Sequence, residues 1–379
     1  MFIYARGGES FAKGDPVWDQ PYVWWSEHRP GTVIDRHDFE KWIEENRIEI
    51  VLFNEQSWMP PVLWAKENGC KTVAYVDYYT PELVPLFLAY DGVWCNTKRH
   101  FSVFKDHPGA RYIPWGTDVQ LFSPQQIHVS DDITFFHSAG MGGADPARGI
   151  KPRKGTDLAI KAFGMVDGPA RLVVHSQLPI HAFGKETEET LKSDERISFI
   201  EQTVSAPGLY HLGDIYLYPT RLEGIGLSIM EALACGLPVL TTNVGPCNEF
   251  ILDGDNGWLV DVESTHKRSD GYYWPLAECS LQHLAALIQN CIANRQDRRL
   301  LGENARKYAE QHLDWRNNRQ LIQNCIEELA RAKPCLLPAS IVQGIKAQQN
   351  SPGLVAKVVR RVKREAIRFR HDLARHGHE

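Results

Sequence analysis

Two glutamates, Glu223 and Glu231, stand eight positions apart in the run Tyr218-Pro219-Thr220-Arg221-Leu222-Glu223-Gly224-Ile225-Gly226-Leu227-Ser228-Ile229-Met230-Glu231. Glu223 opens a glycine-rich loop. Glu231 is expected about two turns into the helix that follows, at ~3.6 residues per turn. The backbone N–H groups of Gly224, Ile225, Gly226 and Leu227, together with the helix N-terminus, form an anion site that can hold diphosphate oxygens without side-chain charge. A carboxylate beside such a site is repelled unless it meets sugar hydroxyls or a developing positive charge. A nucleotide sugar supplies both.

A second run carries positive charge: Arg148-Gly149-Ile150-Lys151-Pro152-Arg153-Lys154-Gly155, followed by Thr156–Phe163. Lys154-Gly155 opens an amphipathic helix with Leu158, Ala159, Ala162 and Phe163 on its buried face. A departing diphosphate needs cations as its bond breaks. No acidic metal cluster is evident beside these residues, so lysine and arginine are expected to stabilise that charge instead of a metal. Upstream, Gly140-Met141-Gly142-Gly143 follows a strand. It reads either as a backbone nest for phosphate, with Gly142 and Gly143 in the cradle, or as an ordinary flexible insertion.

The elements that must position these residues follow from hydrophobic spacing. Thr32–Asp35, Ile48–Asn54, Thr72–Asp77, Gly92–Asn96 and Arg111–Pro114 read as strands, and Asp38–Glu45, Pro60–Glu67 and Pro81–Ala89 as helices between them. A second series begins at Ile133–His137 and runs through Leu172–His175, Ile197–Ile200, Ile215–Tyr218, Val239–Thr241 and Trp258–Val260. Alternating strand and helix implies an α/β fold with parallel sheets covered on both faces. The two units should leave a cleft at the carboxyl ends of their strands. The expected division is 1–124, 125–335 and a tail at 336–379.

Length allows two or three domains. The eight cysteines are scattered without metal spacing and read as reduced thiols. No apolar run approaches the ~20 residues of a membrane span, and the N-terminus lacks a signal-peptide layout. A cytoplasmic chain, at most peripheral at a membrane, is the expectation. The net charge of −5 hides an asymmetry, because residues 351–379 hold eight Lys and Arg against three Asp and Glu. The acidic body argues against nucleic-acid binding. The tail reads as a basic amphipathic helix over 354–375, suited to anionic lipid or to docking on the acidic body. Trp18, Trp24 and Trp25, in an irregular segment, read as sugar-stacking faces or as core.

The signature around Glu223 and Glu231 resembles that of the retaining glycosyltransferases of family four, in which two glutamates separated by seven residues recur in this glycine context. Here Ile225 replaces the usual Phe and Leu233 the usual Met. The likeness extends through Gly245-Pro246-Cys247-Asn248-Glu249, Asp253–Val260 and Ile113-Pro114-Trp115-Gly116-Thr117-Asp118. The resemblance implies a GT-B fold, two Rossmann-like domains with the active site in the inter-domain cleft, and a UDP-, GDP- or ADP-sugar as donor with no metal or other cofactor. It implies that Glu223 meets the donor sugar and Glu231 the ribose hydroxyls. Lys154, with Arg148 or Arg153, would stabilise the diphosphate, and Gly8 would lie in the loop near the donor and acceptor. Asp77 stands where many relatives carry a histidine, and reads as a donor-hydroxyl contact or as a loop cap. The acceptor would be a glycan, a lipid-linked sugar or a small molecule. The altered segment Ser10–Pro30 supports a rival reading, a non-catalytic sugar-nucleotide-binding subunit.

Overall fold

The computed structural model describes residues 1–6, 12–27, 29, 31–125, 131–144, 150–333 and 337–350. Gly8, Arg148 and the basic stretch 354–375 lie outside these residues. The first strands, β1 (Ile3–Ala5) and β2 (Val23–Trp25), pair in parallel in a small sheet of their own. The strand expected at Thr32–Asp35 does not form. Asp35 is instead the N-cap of α1 (Arg36–Glu45), its carboxylate accepting from the Asp38 N–H, and the residues before it lead into that cap.

The main sheet of the first half contains β3 (Ile50–Asn54), β4 (Lys71–Val76), β5 (Gly92–Cys95) and β6 (Ala110–Tyr112), all parallel and in that spatial order. Between them run α2 (Pro60–Glu67) and α3 (Lys98–Phe104). The helix expected at Pro81–Ala89 shortens to a 3₁₀ stretch, Val84–Ala89, with a proline in its first turn. Phe39, Trp42, Phe53, Met59, Trp64 and Tyr90 fill the core on one face of this sheet.

The second half contains β7 (Ile133–Gly140), β8 (Ala170–Ser176), β9 (Ile197–Glu201), β10 (Ile215–Tyr218), β11 (Val239–Thr242) and β12 (Gly257–Val260). They form a parallel sheet ordered β12-β11-β10-β7-β8-β9. The strand order reverses between β7 and β10, and the crevice beyond such a switch point is where open α/β sheets bind ligands. Its helices are α4 (Thr156–Phe163), α5 (Lys185–Ser193) and α6 (Leu227–Ala234). An antiparallel hairpin, β13 (Val262–His266) and β14 (Leu276–Cys279), follows, then α7 (Leu281–Ala293) and α8 (Arg298–His312).

The chain then returns to the first half. Thr117 N–H donates to the Leu313 carbonyl at 2.7 Å and Trp315 N–H to the Thr117 carbonyl at 3.1 Å, so the outward and return crossings run side by side. Beyond them α9 (Asn318–Arg331) places Cys325 and Leu329 against Val73, Trp94 and Ile113. The last described helix, α10 (Ala339–Asn350), buries Ile341 and Ile345 in the core of the first half. Residues 337–350, expected to belong to a separate tail, are therefore packed structure, and α9 completes the first half rather than the second. Among the described residues no helix is long and apolar enough to cross a membrane.

Candidate functional site

The β7/β10 switch point gathers the residues that the sequence singled out. β7 leads, through the loop holding Arg153 and Lys154, into α4, whose N-cap Gly155 has a left-handed backbone (φ 71°). A side chain there would collide with the Pro219 carbonyl, so glycine lets this loop lie directly on the one after β10. That second loop, Pro219–Gly226, carries Glu223. Gly226, at φ 85°, starts α6 at Leu227 with no side-chain cap. Glu231 is thus the fifth residue of α6, just over one turn in rather than two.

Glu223 is 6% exposed. Its Oε1 accepts from Lys154 Nζ at 2.8 Å, the Tyr218 hydroxyl at 2.8 Å, Thr220 Oγ1 at 3.0 Å and Arg153 Nη1 at 3.3 Å. Lys154 Nζ also bonds the Tyr218 hydroxyl. Burial by itself raises the Glu223 carboxyl, but the charges of Lys154 and Arg153 and the hydrogen bonds from Lys154 and Tyr218 outweigh it and hold the group below the usual carboxylate range. Burial moves Lys154 downward against the pull of Glu223. Two cations thus face the Glu223 carboxylate beside the glycine loop. Arg153 also donates to the Leu222 carbonyl at 2.6 Å, and its side chain is 43% exposed.

Three tyrosines, which the sequence reading missed, join the two glutamates. Tyr210 donates to Glu231 Oε2 at 2.6 Å, and Tyr218 to Glu223. Tyr216 lies between them, stacked on Tyr218 at 4.9 Å and edge-on to Tyr210 at 5.5 Å. Burial raises the Glu231 carboxyl, opposed by the Tyr210 hydrogen bond. The only signal for this row was the alternation in Ile215-Tyr216-Leu217-Tyr218, which marks a strand without revealing what its hydroxyls hold.

Arg221 was also missed, and it braces the whole arrangement. It is 2% exposed, grips Asp157 of α4 at 2.7 and 2.8 Å and Glu278 of β14 at 2.7 Å through two nitrogens, and donates to the Pro152 carbonyl at 2.6 Å. Both loops of the site are tied to this one guanidinium. Nearby, His137 is fully buried in β7, with Nδ1 against the Leu217 carbonyl at 2.8 Å and Nε2 against Thr156 Oγ1 at 2.9 Å. Burial pushes its pKa down to about 4.

Across the cleft, Asp77 follows β4 and lies against the glutamate loop. A Cβ added to Gly224 would stand 2.5 Å from Asp77 Oδ1. Burial raises the Asp77 carboxyl, but the neighbouring His100 and Glu55 side chains and the Arg99 charge bring it below the usual range. Arg99 at the start of α3 donates to the carbonyls of Glu223 and Gly245, and Glu249 accepts from the Lys98 and Arg99 N–H groups at 2.7 Å each. Gly142 is close to the stem of Lys154, but its N–H points to the Ala139 carbonyl at 3.4 Å, and Gly143 packs on the Ala182 carbonyl. Trp24 and Trp25 are half-buried and bond Asp38 and Asp19, whereas Trp18 is 64% exposed. Among the described residues no group of three His, Cys, Asp or Glu is arranged to hold a metal ion.

Comparison with known proteins matches residues 147–270 to the model of the family "Glycosyl transferases group 1", a stretch that includes Lys154, Glu223 and Glu231. The chain is 31% identical over 138 residues to the lipopolysaccharide core biosynthesis mannosyltransferase LpsB of Rhizobium meliloti, covering 32% of this chain and 39% of that protein. It is 25% identical over 305 residues to a D-inositol 3-phosphate glycosyltransferase of Geodermatophilus obscurus, covering 71% of this chain and 60% of the relative. It therefore spans less than two thirds of either relative's length. The crystal structure of Anabaena Alr3699/HepE in complex with UDP-glucose superposes with a TM-score of 0.63 at 18% identity, over 86% of this chain and 91% of that one. The fold is GT-B, and the chain's likeness to the family-four glycosyltransferases extends well beyond the signature itself.

Proposed function

We propose that this protein is a glycosyltransferase that moves a sugar from a nucleotide-diphosphate sugar to a hydroxyl acceptor, with retention at the anomeric carbon and without a metal. One observation carries the reading: at the switch point of the second sheet, Arg153 and Lys154 converge with Glu223 beside an uncapped helix N-terminus. The N–H groups of Gly224–Leu227 and the two cations suit a diphosphate. Among the described residues all four bonds to the Glu223 carboxylate fall on Oε1, so Oε2 keeps its capacity to accept a hydrogen bond from a donor-sugar hydroxyl. Glu231 has one oxygen bound by Tyr210 and the other for the ribose hydroxyls.

In this mechanism the acceptor hydroxyl attacks the anomeric carbon on the face from which the diphosphate leaves, and a phosphate oxygen takes its proton. Lys154 and Arg153 then meet the charge that develops on the leaving group, each as a preorganised stabiliser. Arg148 remains a candidate for the same task. Asp77, facing Gly224, would accept from a sugar hydroxyl. The donor class is supported by the UDP-glucose complex of the Anabaena protein. The acceptor is proposed as a glycan, lipid-linked or small-molecule hydroxyl, with the tail at 354–375 as a contact for anionic lipid.

The test is a panel of UDP-, GDP- and ADP-sugars followed by thermal shift and by slow donor hydrolysis, with and without EDTA. One donor should raise the melting temperature and be hydrolysed equally in both conditions. At ~100 times its dissociation constant a ligand adds about 2.7 kcal/mol of stability. Hydrolysis lost in EDTA and restored by manganese or magnesium would refute the metal-free mechanism, and a panel with no shift would refute the donor site.

A further inference from the structure

A chain of polar groups runs from the second half of the molecule to Asp77. Trp274, in the loop between β13 and β14, donates its indole N–H to the Tyr79 hydroxyl at 2.9 Å. That hydroxyl lies 2.9 Å from His100 Nδ1, and both Tyr79 and His100 are fully buried. Indole N–H is a donor only, so the Tyr79 oxygen is the acceptor in the first bond. Its own proton is then free to be donated to His100 Nδ1, the ring nitrogen within reach, and it would be unpaired if Nδ1 carried the ring proton. Burial moves His100 downward from its ordinary value, which keeps the ring neutral. With Nδ1 accepting, the ring proton must be on Nε2.

That Nε2 is a buried group without a hydrogen bond of good geometry. It faces Asp77 Oδ1 at 3.7 Å and also lies near the Gly224 carbonyl. A buried donor left unpaired is unfavourable, and one aimed at a carboxylate from just beyond bonding distance is poised to close on it. Such contacts are commonly long without ligand and tighten when substrate is bound. The second half also fixes the platform on which His100 sits, because Glu249 holds the first N–H groups of α3 and the Tyr272 hydroxyl donates to the Asp77 carbonyl at 3.1 Å.

We propose that His100 is a positioning residue for Asp77: with its proton fixed on Nε2 by Trp274 and Tyr79, it turns the Asp77 carboxylate toward the sugar bound at the Glu223 loop. Oδ1 is then occupied by the ring N–H, and Oδ2 is presented to a hydroxyl. This rests on the glycosyltransferase reading for its ligand, but the hydrogen-bond chain itself does not depend on it. The chain spans both halves of the molecule, so Asp77 is correctly turned only when they are together.

The experiment has two arms. In the first, donor hydrolysis and nucleoside-diphosphate binding are measured for His100→Phe, His100→Gln, Asp77→Asn and the His100→Phe/Asp77→Asn pair. His100→Phe should lower kcat by roughly tenfold to 10²-fold, the scale of misplacing a reacting group by ~1 Å, with affinity for the nucleoside diphosphate unchanged. His100→Gln, which keeps an N–H at the same end, should recover most of the loss. The pair should be no slower than Asp77→Asn alone, because residues that act as a unit are not additive. Multiplied effects, or loss of nucleotide affinity in His100→Phe, would overturn the proposal. In the second arm, nitrogen-15 NMR of labelled histidine reads the tautomer directly. His100 should carry its proton on Nε2 in the native protein and become a mixture in Trp274→Phe. A proton on Nδ1 in the native protein, or no change in Trp274→Phe, would overturn the relay. A native protein that binds no nucleotide sugar would refute the glycosyltransferase reading, and the tautomer would still decide the relay.

Discussion

The two buried histidines show how differently the halves are built. His137, in the second half, has a partner on each ring nitrogen, both within its own sheet and the helix after it. His100, in the first half, has one partnered nitrogen, and that partner, Tyr79, is held in turn by Trp274 of the other half. The same contrast recurs in the surroundings. The second half braces its site with Arg221 between Asp157 and Glu278, all its own residues. The first half takes the acceptor for the first two N–H groups of α3 from Glu249 and part of its core from α9 and α10, which arrive after the chain has crossed back. The second half braces its loops mainly with its own residues, Arg99 reaching across to the Glu223 and Gly245 carbonyls, whereas the first half is finished by contacts that cross the cleft or come from later in the chain.

The strongest test of that contrast is Arg221→Met. It would leave the largely buried Asp157 without its cation and Glu278 with only the exposed Lys151. Breaking a buried ionic group in this way costs about 3–5 kcal/mol. Urea denaturation should show a loss of that size, and a loss below about 1 kcal/mol would mean that the second half does not depend on its own brace. Next in size, Lys154→Ala should lower turnover by about 10²–10³-fold, the scale for one preorganised transition-state contact. Steady-state kinetics that showed only a raised KM would assign Lys154 to ground-state binding instead.

His137 gives a pH signature. Its folded pKa, about 4, lies below the ordinary 6.5, so between these values the unfolded chain binds a proton that the native state refuses. Stability should therefore fall as pH drops from 6.5 to 4 and level off below, by about 3 kcal/mol in all at ~1.4 kcal/mol per unit. Denaturation at a series of pH values should show this slope in the native protein and a shallower one in His137→Gln. Equal slopes would mean that His137 does not titrate as its burial demands. The smallest effect is expected at the cross-half contact: Glu249→Ala removes the acceptor of the first two N–H groups of α3, leaving the Thr97 cap in place, and should cost about 1–2 kcal/mol. Hydrogen exchange at the Lys98 and Arg99 amides should speed up while the second sheet stays protected. If exchange rose across both halves, the asymmetry would be an illusion of the static contacts.

Legibility followed the same division. In the second half each expected strand is present with its ends moved by at most a few residues, because continuous apolar runs bounded by turn chemistry are local signals of buried parallel strands. In the first half Thr32–Asp35 looked like a strand, but its apolar pair Val33-Ile34 precedes a capping Asp, and the cap prevailed. The pairing of β1 with β2 had no local sign, since each is three residues long and flanked by irregular sequence. Within the site, glycine spacing revealed Glu223, Glu231 and Lys154. Arg221 was hidden in plain view beside them, because its partners lie 64 and 57 positions away. His100 stands in the basic run Lys98-Arg99-His100, which carries no local sign of burial, yet it is fully buried.

The sequence by itself determined the loop after β10, the start of α6 at a left-handed glycine and the approach of the Lys154 loop through Gly155. Those features depend on which backbone angles and side-chain volumes a residue permits within a few positions, and such limits are written residue by residue. Tertiary structure alone decided which charges meet: Lys154 with Glu223, Arg221 with two carboxylates, Asp77 with Gly224 across the cleft and His100 between them. A side chain's partner over tens of residues is chosen by how the sheets and returning helices pack, and composition and spacing carry no measure of that distance.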